Sequence, residues 1–207
     1  MCLCGTRGCH LSPFGILEQM EGYALELSCL ALHRVWGAVP GNFHSARLIL
    51  CGFGVRERPR WEGWEKSELR AKMNSGEIWN LMPSDLQSKV KAVTKLTNNV
   101  NGTDKNAAVT ATSDKLFLLS YSEIVPTSYW ASSYPWTSYE GAQYEAFKGK
   151  VTNNYSGNES LKIGSGWWER SVNPDCSVNF LFVGIGGDPS VNGSAMGSCC
   201  VCPAFSF

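Results

Sequence analysis

The stretch "WWERSVNPDCSVNFLFVGIGG", which begins at Trp167, constrains this chain more than any other because it opens a tract almost empty of charge. After Arg170 only Asp175 and Asp188 are ionised, among Asn, Ser, Gly, Val, Pro and Cys. The tract keeps neither a helical nor a strand period to the end of the chain, so its fold has to be specified by a few anchors. Trp167, Trp168, Phe180, Val183, Val201 and Phe205 are the candidates. Burying each is worth about 1.5–3 kcal/mol, enough for a few of them to hold a backbone whose exposed positions are unconstrained. Pro203 suits an edge or terminal position. Arg170 is expected to pin loops through backbone carbonyls, because a guanidinium is a rigid fork of donors.

Composition bounds the partners. A chain of 207 residues, 43% hydrophobic, can bury one sizeable core. Its 18 basic and 18 acidic residues balance, leaving no basic field to hold a phosphate backbone, and nucleic acid is not an expected partner. The most apolar early stretch, "ALELSCLALHRVWGAV", is broken by Glu26, His33 and Arg34, so no membrane insertion is expected. "MCLCGTRGCH" lacks the features of a secretory signal, and export by that route is not expected.

The nine cysteines fall as Cys2, Cys4, Cys9, Cys29, Cys51, Cys176, Cys199, Cys200 and Cys202. An odd count and a long Cys-free middle point to reduced thiols and a core that needs no disulfides. Cys2, Cys4, Cys9 and His10 lack the CxxC spacing of a zinc knuckle, so no metal or cofactor is expected. Nor is enzymatic activity. A thiol nucleophile needs a base, yet His10, His33 and His44 all lie in the unpatterned first part, while Glu123, Glu140, Glu145 and Glu169 are scattered.

Residues 1–60 show weak periodicity, and the character changes at "RPRWEGWEKSELR". Ser67 caps an expected helix over "ELRAKMN", with Trp64, Leu69 and Met73 on one side. In "MPSDLQSKVKAV" the capping-box spacing of Ser84 and Gln87 and the recurrence of Leu86, Val90 and Val93 predict a second. A polar hairpin-like loop turning at Asn101–Gly102 leads into "KLFLLS", read as a short buried strand. Tyr129, Trp130, Tyr134 and Trp136 read as packing residues, a short helix carries Tyr144 and Phe147, and "GWW" and "VNFLFVG" read as strands. The outline is α+β, with two short helices, small antiparallel sheets and much irregular loop.

The ordered set "GWEKSELRAKMN", "MPSDLQSKVKAVTK", "SDKLFLLSYSEI", "YEGAQYEAF", "WWERS" and "CPAF" resembles an uncharacterised domain family found at the ends of bacterial and phage surface or tail proteins. The resemblance covers residues 61–207. Its C-terminal part, a Trp-Arg-Ser anchor followed by an Asn/Ser/Gly-rich tract and a Pro-Ala-Phe ending, is similar to the variable proteins of diversity-generating retroelements. That implies a C-type-lectin-like fold of the formylglycine-generating-enzyme type, and a surface site diversified by errors at template adenines. The paired acidic and amide motifs of calcium-dependent sugar binding are absent. Residues 1–60 depart from the family, with "RPRWEGWEKS" where a fuller lead into "GGWEKS" is normal, and read as an atypical extension, either divergent or mispredicted.

The genetic code offers a check. Changing the adenines of an Asn codon yields most residue types but never Lys, Glu, Gln, Met or Trp, and between Val172 and Cys200 only Met196 lies outside the reachable set. A Gly/Ser-rich irregular region would also avoid Lys and Glu. The expected ligand-binding residues are Asn173, Asp175, Cys176, Ser177, Asn179, Phe182, Gly184, Ile185, Asp188, Ser190, Val191 and Asn192, with Phe182 and Ile185 as apolar anchors among adaptable polar contacts. The expected partner is a protein or glycan on a cell or virion surface, with a phage virion or bacterial cell surface as the location. The rival reading is a fixed structural or adhesion module.

Overall fold

The computed structural model describes residues 30–34, 46–50, 63–98, 109–126, 139–155, 157–173 and 176–207. These form a mixed α+β fold of short helices and small antiparallel sheets. Four α-helices stand among the described residues, more than the pattern marks: α1 Glu68–Asn74, α2 Glu77–Asn80, α3 Ser84–Gln87 and α4 Tyr121–Ile124. Strands β1 Leu30–Arg34 and β2 Ala46–Leu50 pair antiparallel, as do β3 Val93–Asn98 and β4 Val109–Asp114. Strands β5 Trp167–Asn173, β6 Cys176–Val183 and β7 Val191–Ser194 make a three-stranded sheet in that order.

Helix α1 forms where its local signals agree. Ser67 Oγ accepts from the Arg70 N–H at 3.0 Å, satisfying one of the donors left free in a first turn. Leu69 and Met73, four apart and so on one face, are buried with Trp64. Two bonds tie the helix region to the end of β4: Trp64 Nε1 donates to Asp114 Oδ2 at 3.0 Å and Arg70 Nε to Asp114 Oδ1 at 2.6 Å. Asn74 ties it to the next residues, accepting from Lys115 N at 2.6 Å and donating to Leu116 O at 2.8 Å.

Three expected elements take another form. Helix α3 is a single turn whose N-cap is Pro83, and Gln87 makes no capping box because its amide donates to the carbonyls of Trp79 and Met82 at 3.1 and 2.8 Å. Val93 already belongs to β3. Leu116–Leu119 are buried as expected for "KLFLLS", but the stretch pairs only through a bridge from Phe117 to Ala204. Tyr144 and Phe147 lie in consecutive turns, closed by bonds such as Val151 N to Phe147 O at 2.8 Å, and not in a helix. Asn101–Gly102, the four aromatics from Tyr129 to Trp136, and Cys2, Cys4, Cys9, His10 and His44 lie outside the described residues.

The C-terminal segment closes the core. Cys200 bridges Trp167 in parallel, while Ala204 and Ser206 bridge Phe117 and Lys91 antiparallel. Val201, Cys202, Pro203 and Phe205 are buried along it. Cys176, Cys199, Cys200 and Cys202 carry thiols and form no disulfide.

Candidate functional site

The candidate binding tract rests on β5, whose side chains are buried along its whole length. Its pairing with β6 runs Trp167↔Val183 and Trp168↔Phe182, breaks, and resumes at Val172↔Phe180. Within the break the Arg170 N–H donates to Leu119 O at 3.0 Å, and the Arg170 side chain runs into the interior, fully buried. All five guanidinium donors are used. Nε donates to Thr97 Oγ1 at 3.0 Å, Nη1 to Leu118 O at 2.8 Å and Glu123 Oε2 at 2.5 Å, and Nη2 to Leu96 O at 3.3 Å and Glu140 O at 2.8 Å. One side chain thus joins β3, the approach to α4, α4 itself and the Glu140 segment beneath the tract.

Glutamates that are scattered in sequence collect around that fork. Glu123 accepts from Arg170, from Lys95 Nζ at 2.9 Å and from Ser120 N at 3.0 Å. Burial alone would raise its pKa, but Arg170 and Lys95 outweigh it and hold the carboxyl at about 2. Glu140 accepts from Asn98 N at 2.9 Å and Ser171 Oγ at 2.5 Å, yet complete burial carries it up to about 7 against the pull of Arg170. Burial likewise lowers the Lys95 pKa, although Glu123 opposes the shift. Glu145 stays exposed, paired with Lys148. The signal that could have marked the cluster is the pair Glu169-Arg170 inside an otherwise uncharged strand, since ions are buried only where they are matched.

The tract itself spans buried to open positions. Leu181 and Val183 are fully buried, while Phe180 and Phe182 between and beside them are half-buried. The Phe182 ring stands edge-on to Trp168, centroids 5.5 Å apart at 74°. On the edge strand β7, Asn192 and Ser194 are exposed and Val191 and Gly193 half-covered. Asn179 Nδ2 donates to Asn192 Oδ1 at 2.9 Å across the exposed end of the pair. Ile185, in the β6–β7 loop, is 70% exposed and Met196, just past β7, 54%. The loop backbone is fixed: Gly184 N donates to Asp188 O at 2.7 Å, and Asp188 Oδ1 accepts from both Ser190 N and Ser190 Oγ at 2.9 Å. Gly187, at φ +77°, lies so close to Asn158 that an added Cβ would be 2.4 Å from its carbonyl oxygen. Asn173 is buried, Cys176 half-buried, Ser177 part of β6, and Asp175 outside the described residues.

Beside the tract, Trp64, Leu69, Leu118, Trp168, Glu169 and Phe180 are among the residues that line a small cleft of about 30 Å³. Both carboxyl oxygens of Glu169 are buried, and neither meets a hydrogen-bond partner. Burial, with Glu140 adding to it, raises this carboxyl well above the usual range. Among the described residues no helix is long and apolar enough to cross a membrane, and no group of three His, Cys, Asp or Glu side chains is arranged to hold a metal ion.

Residues 50–207 match the model of a family described as a domain of unknown function, DUF6273. No curated protein and no solved structure matches the chain.

Proposed function

The chain belongs to the DUF6273 family, and from that premise we propose that it is a ligand-binding, receptor- or adhesin-like variable protein with no catalytic step. Its domain takes a C-type-lectin-like fold, and its tract at about 172–200 is diversified to bind proteins or glycans on a cell or virion surface. The observation that carries this reading is the division of labour within the tract. Ile185, Asn192, Ser194 and Met196 are open to solvent, whereas Leu181 and Val183 on the same strands and turns are fully buried. Exposed positions on a braced backbone can change without loss of fold, and loops held on a rigid scaffold are where recognition is concentrated. The residue types agree: from Val172 to Cys200 only Met196 cannot arise from an Asn codon through adenine changes.

A second reading, a fixed structural or adhesion module of a phage tail or bacterial surface protein, is favoured by the burial of Asn173 and by the two bonds that hold Asp188 to Ser190. Sequencing the gene's neighbourhood separates the two. The variable reading expects a reverse-transcriptase gene and a near-identical, Asn-codon-rich repeat of the region encoding residues 172–200; a neighbourhood with neither leaves the fixed module.

A further inference from the structure

Tyr155 lies outside the tract, yet the residues around it are bonded to the tract's loop. Gly157 N donates to Gly186 O at 2.7 Å, Ser190 Oγ to Asn154 O at 2.9 Å and Asn158 Nδ2 to Gly187 O at 2.9 Å. The same Asn158 amide donates to Tyr155 O at 2.7 Å, and the Tyr155 N–H donates to Asn153 Oδ1 at 2.9 Å. Tyr155 is therefore held at both of its backbone groups, and one amide joins it to the loop that carries Ile185.

The two side chains on this joined backbone point away from the core. Tyr155 is 68% exposed and Ile185 70%, the most open large apolar side chains among the described residues. A ring presented on a fixed backbone loses little freedom when a partner covers it, so most of the gain from burying it counts toward affinity. Tyr suits such a contact because it joins a large rigid face to one hydroxyl.

The polar groups nearby are already engaged. Asn153 Oδ1 and Asn158 Nδ2 are turned to backbone, Asp188 Oδ1 accepts from both the N–H and the hydroxyl of Ser190, and Glu159 pairs with Lys162. A sugar needs convergent donors and acceptors for its hydroxyls, and a charged group needs a free counter-charge; these residues offer neither in quantity. An aromatic ring and a branched aliphatic chain on one braced surface match the uncharged, apolar centre of a protein interface.

We infer that the ligand face continues beyond the tract onto Tyr155, a constant aromatic contact beside Ile185, and that the partner it fits is a protein presenting an uncharged apolar patch. This rests on the ligand-binding reading above and deepens it: the residues that vary choose the ligand, and Tyr155, outside 172–200, supplies a contact common to all of them.

The test uses two displayed libraries of the full chain, both randomised at Asn179, Ile185, Asp188, Val191 and Asn192, one keeping Tyr155 and one carrying Tyr155→Ala. Each is selected against immobilised lysozyme, serum albumin and streptavidin, and against mannan and chitohexaose. The expected result is protein binders from the library that keeps Tyr155. In those binders Tyr155→Ala weakens binding at least about tenfold and Tyr155→Phe less, whereas Tyr139→Ala, at a Tyr that is 58% exposed on another segment, changes it by no more than about twofold. Equal thermal midpoints of each binder and its Tyr155→Ala form show that a contact was lost and not the fold; a midpoint that falls together with binding overturns the contact role. Protein binders as frequent and as tight from the Tyr155→Ala library overturn the inference and leave the ligand-binding reading standing. Binders to the glycans alone overturn the protein partner, and binders from neither library overturn the inference together with the reading it rests on.

Discussion

Arg170 Nη1 donates to Glu123 Oε2 at 2.5 Å, with neither side chain open to solvent. The pair joins β5, which carries the tract, to α4, and it does so in a region where an unmatched charge has no water to turn to. Arg170→Lys leaves one charge but loses the fork, stranding the carbonyls of Leu96, Leu118 and Glu140. Breaking such a buried pair from one side costs about 3–5 kcal/mol. Urea denaturation is expected to show that loss for Arg170→Lys and a comparable one for Glu123→Gln. The double variant Arg170→Met/Glu123→Leu is expected to lose less than the sum, because neither member of the pair is left facing a missing partner and only Lys95 still loses its carboxylate.

The two titrating carboxyls give stability opposite slopes. Glu123 lies at about 2, below its ordinary 4.5, so its contribution is complete above pH 4.5 and is lost as pH falls towards 2. Glu140 lies at about 7, above the same ordinary value, so its contribution is complete below pH 4.5 and is lost as pH rises through 7. Glu169, also raised, adds to the second trend. Thermal melts across pH are therefore expected to peak near pH 4.5 to 5 and decline on both sides. Glu140→Gln removes its own share of the decline from pH 4.5 to 7, on the order of 3 kcal/mol, and leaves the share that Glu169 contributes. An unchanged decline in that variant contradicts the assignment.

What could be read locally was read well. Ser67, Leu69 and Met73 mark α1 because a cap and an i, i+4 pair act within two turns. The same logic misjudged Ser84 and Gln87, since the Gln87 amide reaches back to Trp79 and Met82, carbonyls no spacing rule points to. In the run "NFLFV" every side chain but Asn179 is apolar, so alternation alone cannot tell which face is covered, and packing decides it: Leu181 and Val183 are buried, with Phe180 and Phe182 half-covered. The gathering of Glu123, Glu140 and Glu169 about Arg170 was not legible, because it depends on segments far apart in sequence meeting at a break in the β5–β6 pairing. Of the proposed contact residues, Asn173 lies in the interior because β5 is covered on both faces, whereas Ile185 is in a loop and exposed.

Gly187 tests whether the loop carrying Ile185 is braced. Its positive φ and its approach to Asn158 leave no room for a side chain. Gly187→Ala is expected to cost about 1–3 kcal/mol in a thermal melt, through backbone strain and displacement of Asn158. A neutral substitution means that the loop is held less closely than its bonds to the neighbouring segment imply, in which Gly157 N donates to Gly186 O at 2.7 Å, Asn158 Nδ2 to Gly187 O at 2.9 Å and Ser190 Oγ to Asn154 O at 2.9 Å.

Trp168 and Ile185 are expected to separate scaffold from surface. Trp168 packs against Phe182 and is nearly buried, so Trp168→Ala costs about 3–5 kcal/mol, while Ile185→Ala stays within about 0.5 kcal/mol. Urea midpoints of the two variants check the contrast. Similar losses from both place Ile185 among the residues that hold the fold.

The central claim, that the tract can vary while the fold stands, is tested most directly by a displayed library randomised at Asn179, Ile185, Asp188, Val191 and Asn192, scored for folded protein beside a control library at Leu181, Val183, Trp167 and Trp168. The account predicts that most members of the first library remain folded, nearly all members of the second do not, and selection of the first against a panel of surface proteins and glycans enriches different sequences for different ligands. Loss of fold in the first library as frequent as in the second contradicts it.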